Sequence, residues 1–346
     1  MNRYGLNALL LCALAATLAD ALSATAGLGR KSTTRDVLRN LNGSGRLAPY
    51  VAGEGTAVVT GASSGIGVPS VEALALSGMR VVMACRNVED GERARAALPD
   101  WIQPRVRVQE LDLADLGAIR GAAEAIREQE GQIDLLLNNA GVMNIPKRTL
   151  TKDGFEMQLG TNHVGHHMLT RLLLPSVRRG GRIVTVASSA HQFGTFDFDD
   201  LNYGSSKRSY SPWGAYGQSK LANVLFAKGL DDRLKKEGRD DILSVSLHPG
   251  VIGTNLWRSS GPAFLQPLLT NVVGDRSIDQ GASTSVFASL VEASAFSGGE
   301  YLADCGVAKP SERGNDANSN LREELWKKTE EMISDAGYAL PVDILY

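Results

Sequence analysis

The chain has 346 residues, with 36 Lys and Arg against 38 Asp and Glu, and 43% of it is hydrophobic. With 37 Gly and only 12 Pro, this composition excludes a disordered chain, a collagen-like repeat and a coiled coil, and a net charge of −2 leaves no electrostatic footprint for nucleic acid. Three cysteines, Cys12, Cys85 and Cys305, are too few and too scattered for a disulfide framework or a CxxC metal site.

Residues 1–26 begin with Arg3, continue through the apolar run from Ala8 to Leu18 and end in small residues, with Ala24-Thr25-Ala26 in the A-x-A form. This pattern predicts a cleaved signal or targeting leader. The run is shorter than the ~20 apolar residues that span a bilayer and Asp20 interrupts it, so a membrane anchor is the second reading. Residues 27–53 form a basic arm carrying Arg30, Lys31, Arg35, Arg39 and Arg46 against Asp36. Such an acid-poor segment suits an organelle transit peptide or a plain solvated arm. The leader predicts entry to the secretory pathway or endoplasmic reticulum, or to an organelle. A chloroplast address and anchoring to the reticulum membrane are the alternatives.

From Thr56 the sequence alternates short apolar runs with amphipathic stretches. TAVVT, RVVMAC, VRVQELDL, IDLLLNNAG, RIVTVASS and LSVSLHPG read as strands. VPSVEALALSG, ERARAAL, AIRGAAEAIREQE, the stretch from Phe155 to Arg179 and the one from Ala215 to about Lys236 read as helices. Strand and helix in repetition predict a single doubly wound parallel sheet with helices on both faces, and the continuous apolar strands fit burial on both sides. No linker divides residues 54–310, which we take as one domain. A C-terminal helical extension, 311–346, ends in LREELWKKTEEMI, expected as a closing surface helix.

Several turns of this sheet carry chemistry. After the first strand stands Thr60-Gly61-Ala62-Ser63-Ser64-Gly65-Ile66-Gly67, where glycines admit a pyrophosphate close to the backbone and the following helix N-terminus stabilises its charge. The second strand ends in Ala84-Cys85-Arg86-Asn87, with no acid before Glu89. Arg86 in the place of a ribose-binding acid suits a 2′-phosphate, hence NADP(H). Asp112 is placed to bond an adenine edge or to cap a helix. Asn138-Asn139-Ala140-Gly141 closes the fourth strand, Ser188 follows the fifth, and Tyr216 stands four residues before Lys220 on a helix, so their side chains share a face.

TGxxxGxG, NNAG, a strand-end serine, YxxxK and a later Pro249-Gly250, in this order, resemble the short-chain dehydrogenase/reductase family over residues 56 to about 310. MACRN, LGTNHVGHHMLT, AYGQSKLANVLF and SLHPGVIGTNL resemble its retinol dehydrogenase and WW-domain oxidoreductase branch. Together with STTRDV and GEYLADCGVAKP, they also resemble the plant dehydrogenase associated with the chloroplast inner-envelope translocon. The resemblance implies a Rossmann-type fold and an NADP(H)-dependent interconversion of an alcohol and an aldehyde or ketone. By motif, Tyr216 becomes the general acid/base, Lys220 its electrostatic partner and ribose clamp, Ser188 the ligand of the carbonyl oxygen, and Asn162 a relay element. The cofactor set is Gly61, Ser63, Ser64, Gly65, Ile66, Gly67, Arg86, Asp112, Asn139, Ala140, Gly141, Tyr216, Lys220, Pro249 and Gly250. Thr185 and Ala187 depart from the usual pattern around the serine without removing a catalytic group.

Physics supports Tyr216 independently. A lysine ammonium about 4 Å away at an effective dielectric near 20 contributes roughly 4 kcal/mol toward a phenolate, which predicts a pKa well below the ordinary tyrosine value before desolvation subtracts. The long interval from Ser188 to Tyr216, with FGTFDFDDLNYGSSKRSYSPWG, is expected on the surface edging the pocket. Trp257 and residues 259–271 are expected to form a substrate lid whose Pro262, Phe264, Leu265, Leu268 and Leu269 suit an apolar carbonyl or alcohol substrate. His163, His166 and His167 are not read as a metal site, and His191 and His248 read as local structural residues. The resemblance also implies a homodimer paired through the long helices, membrane association through the N-terminus, and, as a second function, an NADP-sensing subunit of a membrane complex.

Overall fold

A computed structural model describes residues 27–53, 55–205, 208–252 and 276–341. The targeting leader, Trp257 and the expected lid lie outside these described residues. Among the described residues eight strands form one sheet: β1 Thr56–Thr60, β2 Arg80–Cys85, β3 Val106–Glu110, β4 Ile133–Asn138, β5 Val177–Val186, β6 Leu243–His248, β7 Tyr301–Ala303 and β8 Gly306–Ala308. Their order is β3-β2-β1-β4-β5-β6-β7-β8, parallel except for the antiparallel edge pair β7 and β8. The order reverses beside β1, between its β2 and β4 neighbours, which is where open α/β sheets form a crevice at their carboxyl ends.

Alternation along the strands explains the two faces. Ala57 and Val59 of β1 enter one core with Val81, Met83, Leu135 and Leu137, whereas Val58 enters the other with Val82 and Leu136. The first core is covered by α1 Thr34–Ser44, α2 Gly67–Leu76, α3 Val88–Ala96 and α7 Ile278–Leu290. The second is covered by α4 Leu116–Glu130, α5 Gly165–Leu173, α6 Pro212–Lys236 and α8 Asn320–Asp335.

Four regions differ from the sequence-based expectation. The helix predicted from Phe155 to Arg179 is broken: a π-helical turn, Gly160–Val164, precedes α5, and Pro175 sits in a 3₁₀ turn after which β5 begins at Val177, since proline cannot continue the helical ladder. The basic arm is not a solvated tether. Helix α1 buries Val37 and Leu41, Thr34 bonds Asp279 of α7, and Arg46 pairs with Glu292 at 2.6 Å. The expected surface helix α8 is docked, with Leu325, Trp326 and Ile333 buried. Trp326 stacks on Phe226 of α6, Arg233 lies 4.1 Å over its ring, and Arg171 of α5 pairs with Glu330. Part of the surface of α6, the Tyr216-bearing helix expected to pair two copies, is therefore covered by the chain's own C-terminal helix. Finally, the insertion before Tyr216 is anchored rather than only edging the surface: Leu201 and Tyr203 are buried, and Gln218 donates to the Leu201 carbonyl at 2.8 Å.

Candidate active site

The carboxyl ends of β1 to β6 converge on a cavity of about 940 Å³, at the upper end of the roughly 300–1,000 Å³ of small-molecule and cofactor sites. It is lined by Gly61, Ser63, Ser64, Gly65 and Ile66 from the turn after β1, and by Arg86 and Asp112 after β2 and β3. Asn139, Ala140 and Gly141 line it after β4, Ser188 after β5, Tyr216 and Lys220 from α6, and Pro249 and Gly250 after β6. Gly67 and Asn162 stand behind this wall.

The turn after β1 is shaped for a phosphate. Gly61 and Gly65 adopt φ of +62° and +56°, the left-handed region that glycine enters without strain, and a Cβ on Gly61 would come within 2.8 Å of the Ala140 Cα. Gly67 serves packing: a Cβ there would collide with the Gly61 carbonyl. Helix α2 opens without a side-chain cap; the Gly67 amide bonds the Ser64 carbonyl at 3.2 Å, and Pro69 in its first turn has no N–H to satisfy. A glycine cradle beside an uncapped helix N-terminus fits the pyrophosphate of a dinucleotide.

Arg86 directly follows β2 and is exposed, and Asn87 caps α3 by accepting from the Asp90 amide at 3.1 Å. Asp112 accepts from the Ala114 amide at 2.9 Å. The cap of α4 is Asp115, which accepts from Gly117 and Ala118, so the helix-capping role open to Asp112 falls to its neighbour.

On the opposite wall Tyr216 is 5% and Lys220 3% exposed. Ser211 caps α6 and Pro212 starts it, an arrangement suited to the first turn, and one turn further Tyr216 packs against Met143 and Ala190. Burial pushes the Tyr216 phenol up to about 12, with a hydrogen bond to the Ser188 side chain pulling it back. This corrects the expectation of a depressed phenol: burial sets the direction of the shift, while Lys220 Nζ, 5.8 Å from the Tyr216 ring centre, donates to the Val186 carbonyl at 3.0 Å. Burial lowers Lys220 itself to about 8.

Asn162 sits in the π-helical turn with its side chain turned inward. Its Oδ1 accepts from the Val142 amide at 2.8 Å, and its Nδ2 donates to the Val142 carbonyl and to Ser219 Oγ, both at 2.9 Å. The three clustered histidines diverge: His163 meets Thr329, His167 meets Glu330, and His166 joins Thr60 to the Asn162 carbonyl. His191 accepts from the Ser311 amide at 2.9 Å, which leaves its Nδ1–H to donate to the Ser188 carbonyl at 2.7 Å. His248 Nδ1 accepts from the amides of Ser189 and Gly250, both at 3.3 Å. Cys85 and Cys305 are free and buried.

Sequence motifs did not single out Met143, Thr161, Gln192, Phe193 or Trp213, which also line the cavity. Phe193 and Trp213, 53% and 41% exposed, flank the insertion at its two ends. Their signal was present in the sequence as aromatic residues inside a polar, glycine-rich stretch.

A family model described as short chain dehydrogenase matches residues 55–263. Retinol dehydrogenase 12 of Homo sapiens is 40% identical over 280 residues, covering 80% of this chain and 85% of that protein. Retinol dehydrogenase 14 of Mus musculus is 35% identical over 311 residues, covering 85% and 90%. Among solved structures, an uncharacterized protein from Mycobacterium paratuberculosis shares 35% identity at a TM-score of 0.67, covering 84% of this chain and 96% of that one.

Proposed function

The chain belongs to the short-chain dehydrogenase/reductase family of oxidoreductases, and from that premise we propose that it interconverts an apolar alcohol and its aldehyde or ketone with NADP(H). The observation that carries the reading is the convergence of Ser188, Tyr216 and Lys220 on one wall of a cavity whose other wall is the glycine cradle. A bound nicotinamide supplies or accepts the hydride.

The protein's own groups handle the proton. In the free chain Tyr216 is held as a phenol at neutral pH, its pKa raised by burial, so its O–H is available to donate to a carbonyl oxygen as charge develops there. Ser188 bonds the same oxygen and fixes it against Tyr216. The Lys220 ammonium stabilises the tyrosinate left behind, and its position beside Gly141 suits a clamp on the cofactor ribose. Arg86, exposed at the far end of the cavity, supports NADP(H) over NAD(H) because its guanidinium pairs bidentately with a phosphate. Phe193, Trp213 and Met143 support an apolar substrate, as do the retinol dehydrogenase names of the relatives. The intact catalytic set favours turnover over a purely sensing role. Residues 1–26 support delivery to a membrane-bounded compartment, which a reporter fused to that leader tests.

The deciding experiment titrates NADPH and NADH into protein lacking residues 1–26. It then follows loss of reduced cofactor with retinal, aliphatic and aromatic aldehydes, wild type beside Tyr216→Phe. Turnover with NADPH is expected, falling about 10²–10⁴-fold in the variant while cofactor affinity stays within a few-fold. Full activity in Tyr216→Phe removes the acid/base assignment, and equal use of NADH removes the cofactor preference.

A further inference from the structure

His166 is buried on α5, outside the cavity lining, and both ring nitrogens are engaged. Its Nε2 lies 2.8 Å from Thr60 Oγ1, and its Nδ1 lies 2.9 Å from the Asn162 main-chain carbonyl. Thr60 Oγ1 also accepts from the amides of Asn139 and Ala140, both at 2.9 Å.

Hydrogen-bond accounting then fixes the tautomer. A threonine hydroxyl has two lone pairs and one proton. The two amides take the lone pairs, so the proton goes to His166 Nε2. That nitrogen is an acceptor, the imidazole proton is on Nδ1, and the donor faces the carbonyl of Asn162. This carbonyl lies in the π-helical turn Gly160–Val164, where the regular helical ladder is widened. One ring thus ties the end of β1 and the turn after β4, which line the cofactor side of the cavity, to the turn holding Asn162. Asn162 in turn bonds Ser219, the neighbour of Lys220.

We propose that His166, in its Nδ1–H form, is a positioning residue that holds the Asn139-Ala140 turn in register with Asn162 and hence with the Tyr216 and Lys220 side of the site. The inference rests on the reading of the cavity as a nicotinamide dinucleotide site. It predicts that the two arms of the ring separate. In His166→Gln the amide reaches the place of Nε2 and keeps an acceptor for Thr60, but the donor to Asn162 is lost. In His166→Asn the amide reaches the place of Nδ1 and keeps that donor, but Thr60 loses its acceptor.

The test combines spectroscopy with binding and kinetics on the full chain. In protein labelled with ¹⁵N-histidine, His166 is expected to show a protonated Nδ1 and a bare Nε2. Its signal is assigned by loss in His166→Gln or, should that variant not fold, by cross-peaks to the Thr60 methyl. NADPH affinity is expected to stay within about twofold in His166→Gln while kcat falls tenfold or more. In His166→Asn affinity is expected to weaken about tenfold with a smaller loss of kcat at saturating NADPH, and His166→Leu is expected to show both losses. An Nε2–H tautomer overturns the proposal, as do Gln and Asn variants that lose only thermal stability or that match the Leu variant in both constants. If no carbonyl is turned over by wild type, the proposed reaction fails, while the tautomer and the effect of His166→Asn on NADPH affinity still decide the role of His166.

Discussion

The Lys220 ammonium stands 5.8 Å from the centre of the Tyr216 ring and is held by the Val186 carbonyl at 3.0 Å rather than by the phenol. Two buried groups one helical turn apart are thereby moved toward their neutral forms, the phenol up to about 12 and the amine down to about 8. Carbonyl reduction needs the phenol protonated and the amine charged, so kcat/KM in the free enzyme is expected to fall as pH rises past about 8. Lys220→Arg, whose guanidinium stays charged, is expected to be slower but to lack that limb. A wild-type profile flat to pH 10 contradicts the assignment. Stability follows the same shifts with opposite signs. Between about pH 8 and 10.5 the unfolded chain holds the lysine proton more tightly, so the Lys220 contribution rises with pH. Above pH 10 the unfolded chain loses the tyrosine proton first, so the Tyr216 contribution falls.

Arg86→Asp tests the cofactor reading. Hydrogen bonds to a charged group contribute roughly 1.5–3 kcal/mol, so NADPH affinity is expected to fall about 10–100-fold, with NADH affinity unchanged or improved because the acid can bond ribose hydroxyls. Fluorescence titration with both cofactors measures it, and unchanged NADPH affinity removes the 2′-phosphate contact.

The strands and the turns that follow them were legible because a buried parallel strand is a short apolar run and its loop chemistry is local. TAVVT leading to Gly61 is one case, and RIVTVASS leading to Ser188 is another. What stayed hidden depends on neighbours distant in sequence. Nothing near Thr34 announces Asp279 as its partner, and Trp326 reads as part of a surface helix until α5 and α6 are placed beneath it. The sign of the Tyr216 shift is a similar case, since the Tyr216–Lys220 spacing gives adjacency on a helix face but not desolvation. His166 reads as one of three clustered histidines, and its role appears only when Thr60 and Asn162 are brought to its two nitrogens.

Phe193 and Trp213 approach the cavity from the two ends of one insertion, and Trp213 meets the Tyr216 ring edge-to-face at 6.1 Å. Replacing Trp213 with Ala is expected to raise KM about tenfold, roughly 1.4 kcal/mol, for a long apolar aldehyde. Little change is expected for a three- or four-carbon aldehyde that does not reach the rim. Equal losses on both substrates would mean that the ring positions Tyr216 rather than the substrate.

His248 supplies a last prediction because one nitrogen serves two segments of the site. Its Nδ1 accepts from Ser189, beside the catalytic serine, and from Gly250 in the turn after β6, so the ring must be neutral with its proton on Nε2. Burial first, then the nearby Arg276 charge, lower it to about 4, with Asp304 opposing them. Because an unfolded histidine binds its proton near pH 6.5, this contribution to stability is complete above pH 6.5 and is lost as pH falls toward 4. His248→Phe keeps the ring volume but leaves two amides without an acceptor, which is expected to cost about 1–3 kcal/mol at pH 7.5. The gap between wild type and variant should then narrow at pH 4.5, where protonation weakens only the wild type at this position. Urea unfolding at the two pH values measures both quantities, and a gap that stays constant shows that neutral His248 is not what joins Ser189 to Gly250.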